Sequence, residues 1–480
     1  MLTFEPTVEL RYWRELRSRY EELLEREEFD EICFRFTDLD GRWVQLHKPK
    51  ATLGISELIH GFHFSCRLPS WRAAHQSDYL IKPDHSTFFL EAGPNGNRQG
   101  VFICDVWEPT GLGPYRRDPR LILKKAMSRL TATIPGARAL VGPELEFYIL
   151  KNAKFGTATE RAFLELETAE IYDRQPDDSS PCFRRTSLSG HLTPEFDSGA
   201  DLRKEIVRRL TEAGLSVIRH HHELGPGQNE ISIAHSDALR AADTAQIYKH
   251  IVRATAVNMG RLATFMPMPF AGTSGSGAHF HMSLYRDKEN LFANGEWPSQ
   301  LSELARFAIG GILKHVRALN CFLNPSVNSY RRLFHSFGAG DVVGYGHLNR
   351  HTIIRIPPAT SPDGVRIEVR FGDGTANPYL AIASLIMAML DGIEKRLDPG
   401  PPTQEKRADK SNNLTSARET GLAFDLRGAG QALDQDRQFL KEGGVFFDTL
   451  IDSHLIRLSN RVHETMKYPH PVEFSQSFAN

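Results

Sequence analysis

The sequence predicts an α+β protein in two parts, and three observations carry that reading. Residues 29 to about 110 form short β-like runs broken by turn residues. After Tyr115-Arg-Arg-Asp-Pro-Arg120 the pattern changes to longer helical and strand segments. Further on, Glu144-Leu-Glu146, His279-Phe-His281 and Glu368-Val-Arg370 alternate polar and apolar residues with the period of a strand. The boundary is placed near residue 112, which gives domains 1–112 and 113–480.

In chain order, Val8 to Glu27 reads as an Arg/Glu-rich amphipathic helix. Ile32 to Phe36, Trp43 to Leu46, Ser86 to Leu90 and Val101 to Asp105 read as strands, with Asp38-Leu-Asp-Gly41 as a turn. The second part opens with a helix at Leu121 to Leu130 and a strand at Val141 to Leu150. The polar stretch 168–200, holding Pro176, Pro181 and Pro194, is expected to be a loop. From Asp237 to Leu262 a long helix is predicted, with Ala241, Ala245, Tyr248, Val252 and Val257 approximating one face. Tyr379 to Leu390 is apolar but too short to span a bilayer, so it is expected to be a buried helix. Residues 393–416, rich in proline and charge, read as a surface loop.

Composition narrows the function. The chain has 480 residues, 40% hydrophobic and 24% charged, enough for a large core. A net charge of −1 argues against nucleic acid or an anionic membrane as partner and favours a small solute. The five cysteines are odd in number, scattered and without CxxC, which fits a reducing compartment. The N-terminal segment lacks the apolar core of a signal peptide, so a cytoplasmic location is expected.

Strand geometry makes the chemistry legible. Residues i and i+2 face the same way, so Glu144 projects with Glu146, His279 with His281, and Glu368 with Arg370. Glu223 of His-His-Glu and Glu230 of Gly-Gln-Asn-Glu bring the total to five carboxylates and two imidazoles, a set better suited to Mg²⁺ or Mn²⁺ than to zinc. Taken singly, each pair is more often a solvated strand edge or a chance surface pair. Their joint occurrence with Arg332, Arg350, Arg355 and Arg370, which can clamp phosphate and carboxylate groups, shifts the balance towards phosphoryl transfer. A Walker A sequence is absent, and the glycines around Gly275 do not follow the dinucleotide fingerprint.

Phe265-Met-Pro-Met-Pro269, Gly275-Ser-Gly-Ala-His-Phe-His-Met-Ser283, Asn328 to Leu333, Asn349-Arg350, Arg355-Ile-Pro357, Arg366-Ile-Glu-Val-Arg370, Ala376-Asn-Pro-Tyr379 and Pro469 to Phe474 together resemble the glutamine synthetase family. Phe36 to Gly41, Ser77-Asp78, Pro83-Asp84, Cys104-Asp105 and Asp118-Pro-Arg120 resemble its N-terminal β-grasp domain and the junction that follows. The resemblance implies a β-grasp-like domain followed by a catalytic domain with an antiparallel sheet and flanking helices. It implies ATP-dependent formation of γ-glutamyl phosphate from L-glutamate, with two or three Mg²⁺ or Mn²⁺ per site. Glu146, Glu223 and Glu230 match the ligands of one metal, and Glu144, His279 and Glu368 those of a second. His281, Ser283 and Arg355 match ATP contacts, while Ser274, Gly275, Arg332, Arg350 and Arg370 match positions holding glutamate and the moving phosphoryl group. Arg350, Arg355 and Arg370 are the expected catalytic arginines. The resemblance also implies sites shared between subunits, in a dodecamer of two hexameric rings.

The departures fall in the second half-reaction. Family members that use ammonia carry an Asp in a Phe-Asp-Gly-Ser-Ser segment and a Glu in a flap over the ammonium. Here Phe64 and Gly338 stand at those positions. Met268 replaces a usual Lys, Thr273-Ser274 a usual Asp-Asn, and Gly190 lies near an expected Tyr. No counterpart of the regulatory tyrosine of bacterial members lies between 403 and 425. Without the two acids a small cation is poorly held. His63, Phe64, Trp71 and Gly338 are then expected to form an apolar pocket for an aromatic, aniline-like amine. The expected product is a γ-glutamylamide, such as a γ-glutamylanilide, formed in amine degradation. Asp341 keeps an alkylamine or polyamine acceptor open, and the remaining alternatives are ammonia itself and an inactive structural or regulatory homologue.

Overall fold

The computed structural model describes residues 6–26, 28–66, 77–93, 97–158, 160–171, 183–184, 190–294, 301–335, 340, 342–404, 421–470 and 472–473. The chain divides into two units, one of residues 1–121 with 211–214 and one of 122–210 with 215–480.

In the first unit, β-branched and aromatic runs pair into one mixed sheet. Its strands are β1 (Glu31–Thr37), β2 (Trp43–Pro49), β3 (Phe62–Ser65), β4 (Asp78–Pro83), β5 (Phe89–Ala92) and β6 (Arg98–Trp107). The order is β2-β1-β6-β4-β3, with β5 also on β6, and only the β1/β6 pair is parallel. The helices α1 (Pro6–Glu25) and α2 (Ile55–His60) belong to this unit. Buried Arg35 is neutralised by Glu91 at 2.6 Å, as a charge inside a β core must be. The expected strand at Ser86–Leu90 is corrected. Asp84 accepts a hydrogen bond from Ser86 N at 3.1 Å, which winds His85–Thr87 into a 3₁₀ turn, and the strand begins only at Phe89.

The second unit is organised on β7 (Ala137–Leu150), which α3 (Pro119–Thr133) precedes in the chain. Two small pairs follow, β8 (Asn152–Ala158) with β9 (Arg161–Glu167), and β10 (Glu170–Ile171) with β11 (Phe183–Arg184). After α4 (Ala200–Glu212) come β12 (Val217–His222), β13 (Gln228–Ile233), β14 (Ser236–Asp237), β15 (Leu262–Thr264), β16 (Ala278–Arg286), β17 (Glu289–Asn290), β18 (Val342–His347), β19 (Thr352–Ile356) and β20 (Ile367–Val369). Together with β7 they make a ten-stranded sheet whose main path runs β12-β13-β7-β16-β20-β19-β18. Along that path every pair is antiparallel except β18/β19.

Period-2 alternation decides which face of β7 is dry. Leu145 and Phe147 are buried, and the Phe147 ring lies 6.3 Å from Tyr248 of α5 (Ala238–Asn258). This helix ends four residues before the expected Leu262, because Gly260 takes a left-handed φ of 68° and Leu262 enters β15. Short pieces also interrupt the expected loop of 168–200, among them β10, β11 and a 3₁₀ turn at Pro194–Phe196.

The apolar run after Asn377-Pro378 is α8 (Pro378–Glu394), started by the Asn377 side chain accepting from Tyr379 N at 3.1 Å. It packs against α6 (Glu303–Leu323), and α7 (Val327–His335) follows. Later helices span Leu426–Gln435 and Asp448–Met466. Cys33, Cys66, Cys104 and Cys321 are free thiols, and Cys182 lies outside the described residues. Among the described residues no helix is long and apolar enough to cross a membrane.

Glycines let α6 and α8 approach backbone to backbone. A Cβ on Gly311 would run into the carbonyl oxygen of Ala388, and one on Gly392 into that of Phe307. We therefore expect Gly311→Ala or Gly392→Ala to cost about 1–3 kcal/mol through overpacking. A lowered melting temperature in thermal unfolding checks this, and an unchanged one contradicts the close approach.

Candidate active site

Antiparallel register turns the alternation within strands into rows across them. One row sets His221 of β12 opposite Glu230 of β13, and Glu230 opposite Glu146 of β7. The next runs Arg219, Ser232, Glu144 and His279 across β12, β13, β7 and β16. A third runs Gly142, His281, Glu368, Arg355 and Gly346 from β7 to β18. Apart from Gly346, all the residues of these three rows line one cavity of about 790 Å³.

Two groups of donors in this cavity could hold a cation. In the first, one ligand atom each from His221, Glu223 and Glu230 fall within 4.8 Å of one another. Burial pushes the Glu223 carboxyl up, and the charge of Glu230 adds to the shift. Glu146 is likewise pushed up by burial and then by Glu223. Burial opposes a proton on His221, yet its contacts with Glu230 hold its pKa above the ordinary value. This group carries more negative charge than its neighbours neutralise, and its oxygen-rich donors fit a hard divalent cation.

The second group joins Glu144, His281 and Glu368 within 4.8 Å. Here the protein supplies the counter-charge. His279 Nδ1 lies 3.1 Å from Glu144 and 3.7 Å from Glu368, and Arg355 reaches Glu368 at 2.5 Å, with Arg370 also paired to it. Burial would raise Glu368, but His279 and Arg370 with their neighbours hold it down at about 2. Burial would also raise Glu144, which the two histidines hold well below the usual range. A metal here would exchange with these histidine and arginine contacts, since the donors themselves are of the right kind.

Among the remaining cavity residues, apolar Leu140, Ile218, Leu224, Ile233 and Leu348 stand beside polar, anion-seeking groups. Ser274, Gly275, His281, Ser283, Arg332, Arg350, Arg355 and Arg370 all line it. Ser274 is held where its backbone oxygen accepts from the Tyr148 hydroxyl, and Gly275 O accepts from Gln228 Nε2 at 3.1 Å. Buried Arg332 donates to the carbonyls of Phe371 and Arg370 at 3.3 and 3.2 Å. Arg332 Nε and Arg355 Nε are buried with no hydrogen-bond partner among the described residues. Such orphaned charged donors are costly unless an anion meets them.

These observations have counterparts in known proteins. Residues 116–477 match the family model of the glutamine synthetase catalytic domain. The chain belongs to the glutamine synthetase family. It is 38% identical to the glutamine synthetase of Vibrio alginolyticus, over 94% of this chain and 97% of that one, and 36% identical to that of Escherichia coli K12 over the same shares. Cryo-EM of the Plasmodium falciparum glutamine synthetase gives a TM-score of 0.86 at 25% identity, covering 96% of this chain and 98% of that one. A solved structure of GmaS without ligand gives 0.76 at 26%, covering 96% and 99%. The chain therefore has the glutamine synthetase fold and is an ATP-dependent carbon–nitrogen ligase of a family that acts on glutamate, uses divalent metals and is oligomeric.

Of the expected amine-pocket residues, His63 and Phe64 lie on β3 in the first unit. His63 Nε2 donates to Pro109 O at 2.8 Å, and the Phe64 ring packs edge-on against Phe36 at 5.9 Å. Trp71 and Gly338 lie outside the described residues, as does Asp341. Sequence reasoning missed His221, Arg219 and Arg366, all of which line the cavity. The signal was available, since Arg219 and His221 alternate on β12, with Glu223 next in the same spacing just past its end, as Glu144 and Glu146 do on β7.

The unequal charge of the two groups has a thermodynamic consequence. Glu146 and Glu223 bind protons more tightly folded than unfolded, so their contribution to metal-free stability is fully present below the ordinary glutamate value near 4.5 and falls as pH rises through their raised values. In a chelator, Glu223→Gln is expected to melt above the parent at pH 8, with the gap closing towards pH ~4.5. Mn²⁺ should raise the parent's melting temperature more at pH ~8 than at pH ~5.5. Differential scanning fluorimetry across pH checks both, and a Glu223→Gln variant less stable than the parent in chelator at pH ~8 contradicts the charge deficit.

Proposed function

We propose that this member of the family joins the γ-carboxylate of L-glutamate to an apolar or aromatic amine through γ-glutamyl phosphate. The carboxylate oxygen bonds to the γ-phosphorus as the bond to ADP breaks. The amine nitrogen then bonds to the carbonyl carbon of the γ-carboxyl group, phosphate leaves from that carbon and the amine gives up a proton. Arg332, with Ser274 and Gly275, holds the glutamate, and Arg350, Arg355 and Arg370 stabilise the transferring phosphoryl group. His281, Ser283 and Arg355 hold ATP. Glu146, Glu223 and Glu230 would ligate one Mg²⁺ or Mn²⁺, with Glu144, His279 and Glu368 taking a second, and His221 and His281 lie close enough to contribute. Bound there, the cations supply counter-charge to the phosphate oxygens. The orphaned Nε atoms of Arg332 and Arg355 support the anion-binding part of this reading.

The choice of acceptor rests on one observation, Phe64 at the position that resembles the ammonium-binding Asp. Its ring is held by Phe36, so the change replaces a charge with a fixed apolar surface. The family's active sites are shared between subunits, and we extend that arrangement, with rings of six stacked in pairs, to this chain. A second reading, synthesis of glutamine from ammonia, is favoured by the names of the relatives at 34–38% identity.

Two measurements test the proposal. Glu144→Ala or His279→Ala should abolish ATP cleavage with every amine, and unchanged turnover at saturating Mg²⁺ would overturn the two-metal reading. A product assay with glutamate, ATP and ammonium, methylamine, isopropylamine, putrescine, ethanolamine or aniline should give the highest kcat/KM for aniline. Phe64→Ala should weaken that reaction by about 1–3 kcal/mol in transition-state binding. Phe64→Asp with Gly338→Glu should swing specificity towards ammonium. A parent enzyme that prefers ammonium or a polycation contradicts the apolar acceptor.

A further inference from the structure

A third cluster of titratable groups, Glu170, Asp197 and His222, is buried and does not line the cavity. Its charges are already met within the protein. Asp197 is paired with Arg203, whose Nη1 donates to it at 2.9 Å. The Glu170 carboxylate accepts from Ser198 N at 3.0 Å and Ser198 Oγ at 2.7 Å through one oxygen, and from His222 Nε2 and Gly227 N, both at 2.8 Å, through the other. A cluster so satisfied has no need of an ion.

What it does have is a particular grip on the turn between β12 and β13. His222 and Gly227 stand at the two ends of the segment that carries Glu223, and a single oxygen of Glu170 holds both. His222 passes the contact on, because its Nδ1 lies against the carbonyl oxygen of Glu223. Gly227 has a φ of 72°, and a Cβ there would meet the Thr168 side chain, so the backbone comes within reach of Glu170 only as glycine. From the far end of the turn, Gln228 Nε2 reaches Glu146 Oε2 at 3.1 Å. The backbone of Glu223, through His222, and the Glu146 carboxylate, through Gln228, are thus both linked to the turn that the buried Glu170 carboxylate holds.

We infer that Glu170 and His222 are positioning residues that set the spacing of Glu223 and Glu146 around the divalent cation. The inference rests on the reading of Glu146, Glu223 and Glu230 as a metal site, and the test separates the two. In the full-length enzyme, Glu170→Gln keeps the volume but puts an amide where one carboxylate oxygen accepts from its donors. With fold and assembly checked by circular dichroism and light scattering, Mn²⁺ binding followed by electron paramagnetic resonance should weaken roughly 10- to 100-fold. kcat should fall while the KM for glutamate stays put, and Glu170→Asp should recover part of the loss. In a Glu223→Gln background the Glu170→Gln change should add little, because its effect travels through Glu223. Parent-like Mn²⁺ affinity in folded Glu170→Gln, or fully additive losses in the double variant, overturns the positioning role. If Glu223→Gln alone leaves Mn²⁺ binding unmoved, the metal reading is what fails, and the inference falls with it. Should Glu170→Gln not fold, Ser198→Ala, which removes one donor to the same carboxylate, is expected to weaken Mn²⁺ binding in the same direction, and an unchanged affinity there is equally fatal.

Discussion

The antiparallel register on β7 is the constraint on which the rest of the site depends. Because Glu144 faces Ser232 on one side and His279 on the other, and Glu146 faces Glu230, a polar residue on any one strand has polar neighbours on the next. A one-residue slip would turn Leu145 and Phe147 into the cavity and bury the glutamates beneath α5. The apolar face therefore guarantees the polar one. Fourteen residues of β7 hold that register against β13, β14, β15 and β16 together.

Burying this much negative charge is tolerable only with compensation, and the two donor groups are compensated differently. Glu144 and Glu368 sit against His279, His281, Arg355 and Arg370, whereas Glu146 and Glu223 act on each other with Glu230 nearby, offset among the described residues by His221, His279 and Arg332. The metal-free protein is consequently polarised, with one half of the cavity internally neutral and the other in need of a cation. The buried Nε atoms of Arg332 and Arg355 are the opposite deficit, donors left without a hydrogen bond among the described residues even though Arg355 is paired with Glu368. A cavity that carries both deficits is matched to a ligand carrying both signs, an anion escorted by metal.

Much of this was legible in the sequence because strands advertise their faces. Glu144, Glu146, His279, His281, Glu368 and Arg370 could be grouped from period-2 spacing alone, and the structure lines one cavity with all of them. Arg219 and His221 obey the same rule, but the alternation of their strand is hidden by the His220-His221-His222 run, which has no apolar residue to mark the dry face. Glu170 could not have been found that way. It lies in a polar stretch without periodicity, and its importance comes from contacts with residues 222 and 227 that no local pattern encodes. The misplaced strand at Ser86 and the overlong helix to Leu262 both turn on a boundary residue, the Asp84 side chain delaying the start of one element and the left-handed Gly260 following the end of the other.

The sheet order also has a consequence for how the chain is made. As the ribosome delivers residues from the N-terminus, β7 emerges well before either of its flanking partners, and β16, which begins at Ala278, comes out after β13 has had time to pair. A long strand with one bare edge is the kind of surface that recruits stray strands from other chains. Here the bare edge belongs to a strand whose exposed face carries Glu144 and Glu146, so nascent copies meeting edge to edge would bring like charges together in register. The acids that later serve the finished site are thus also well placed to keep half-made chains apart.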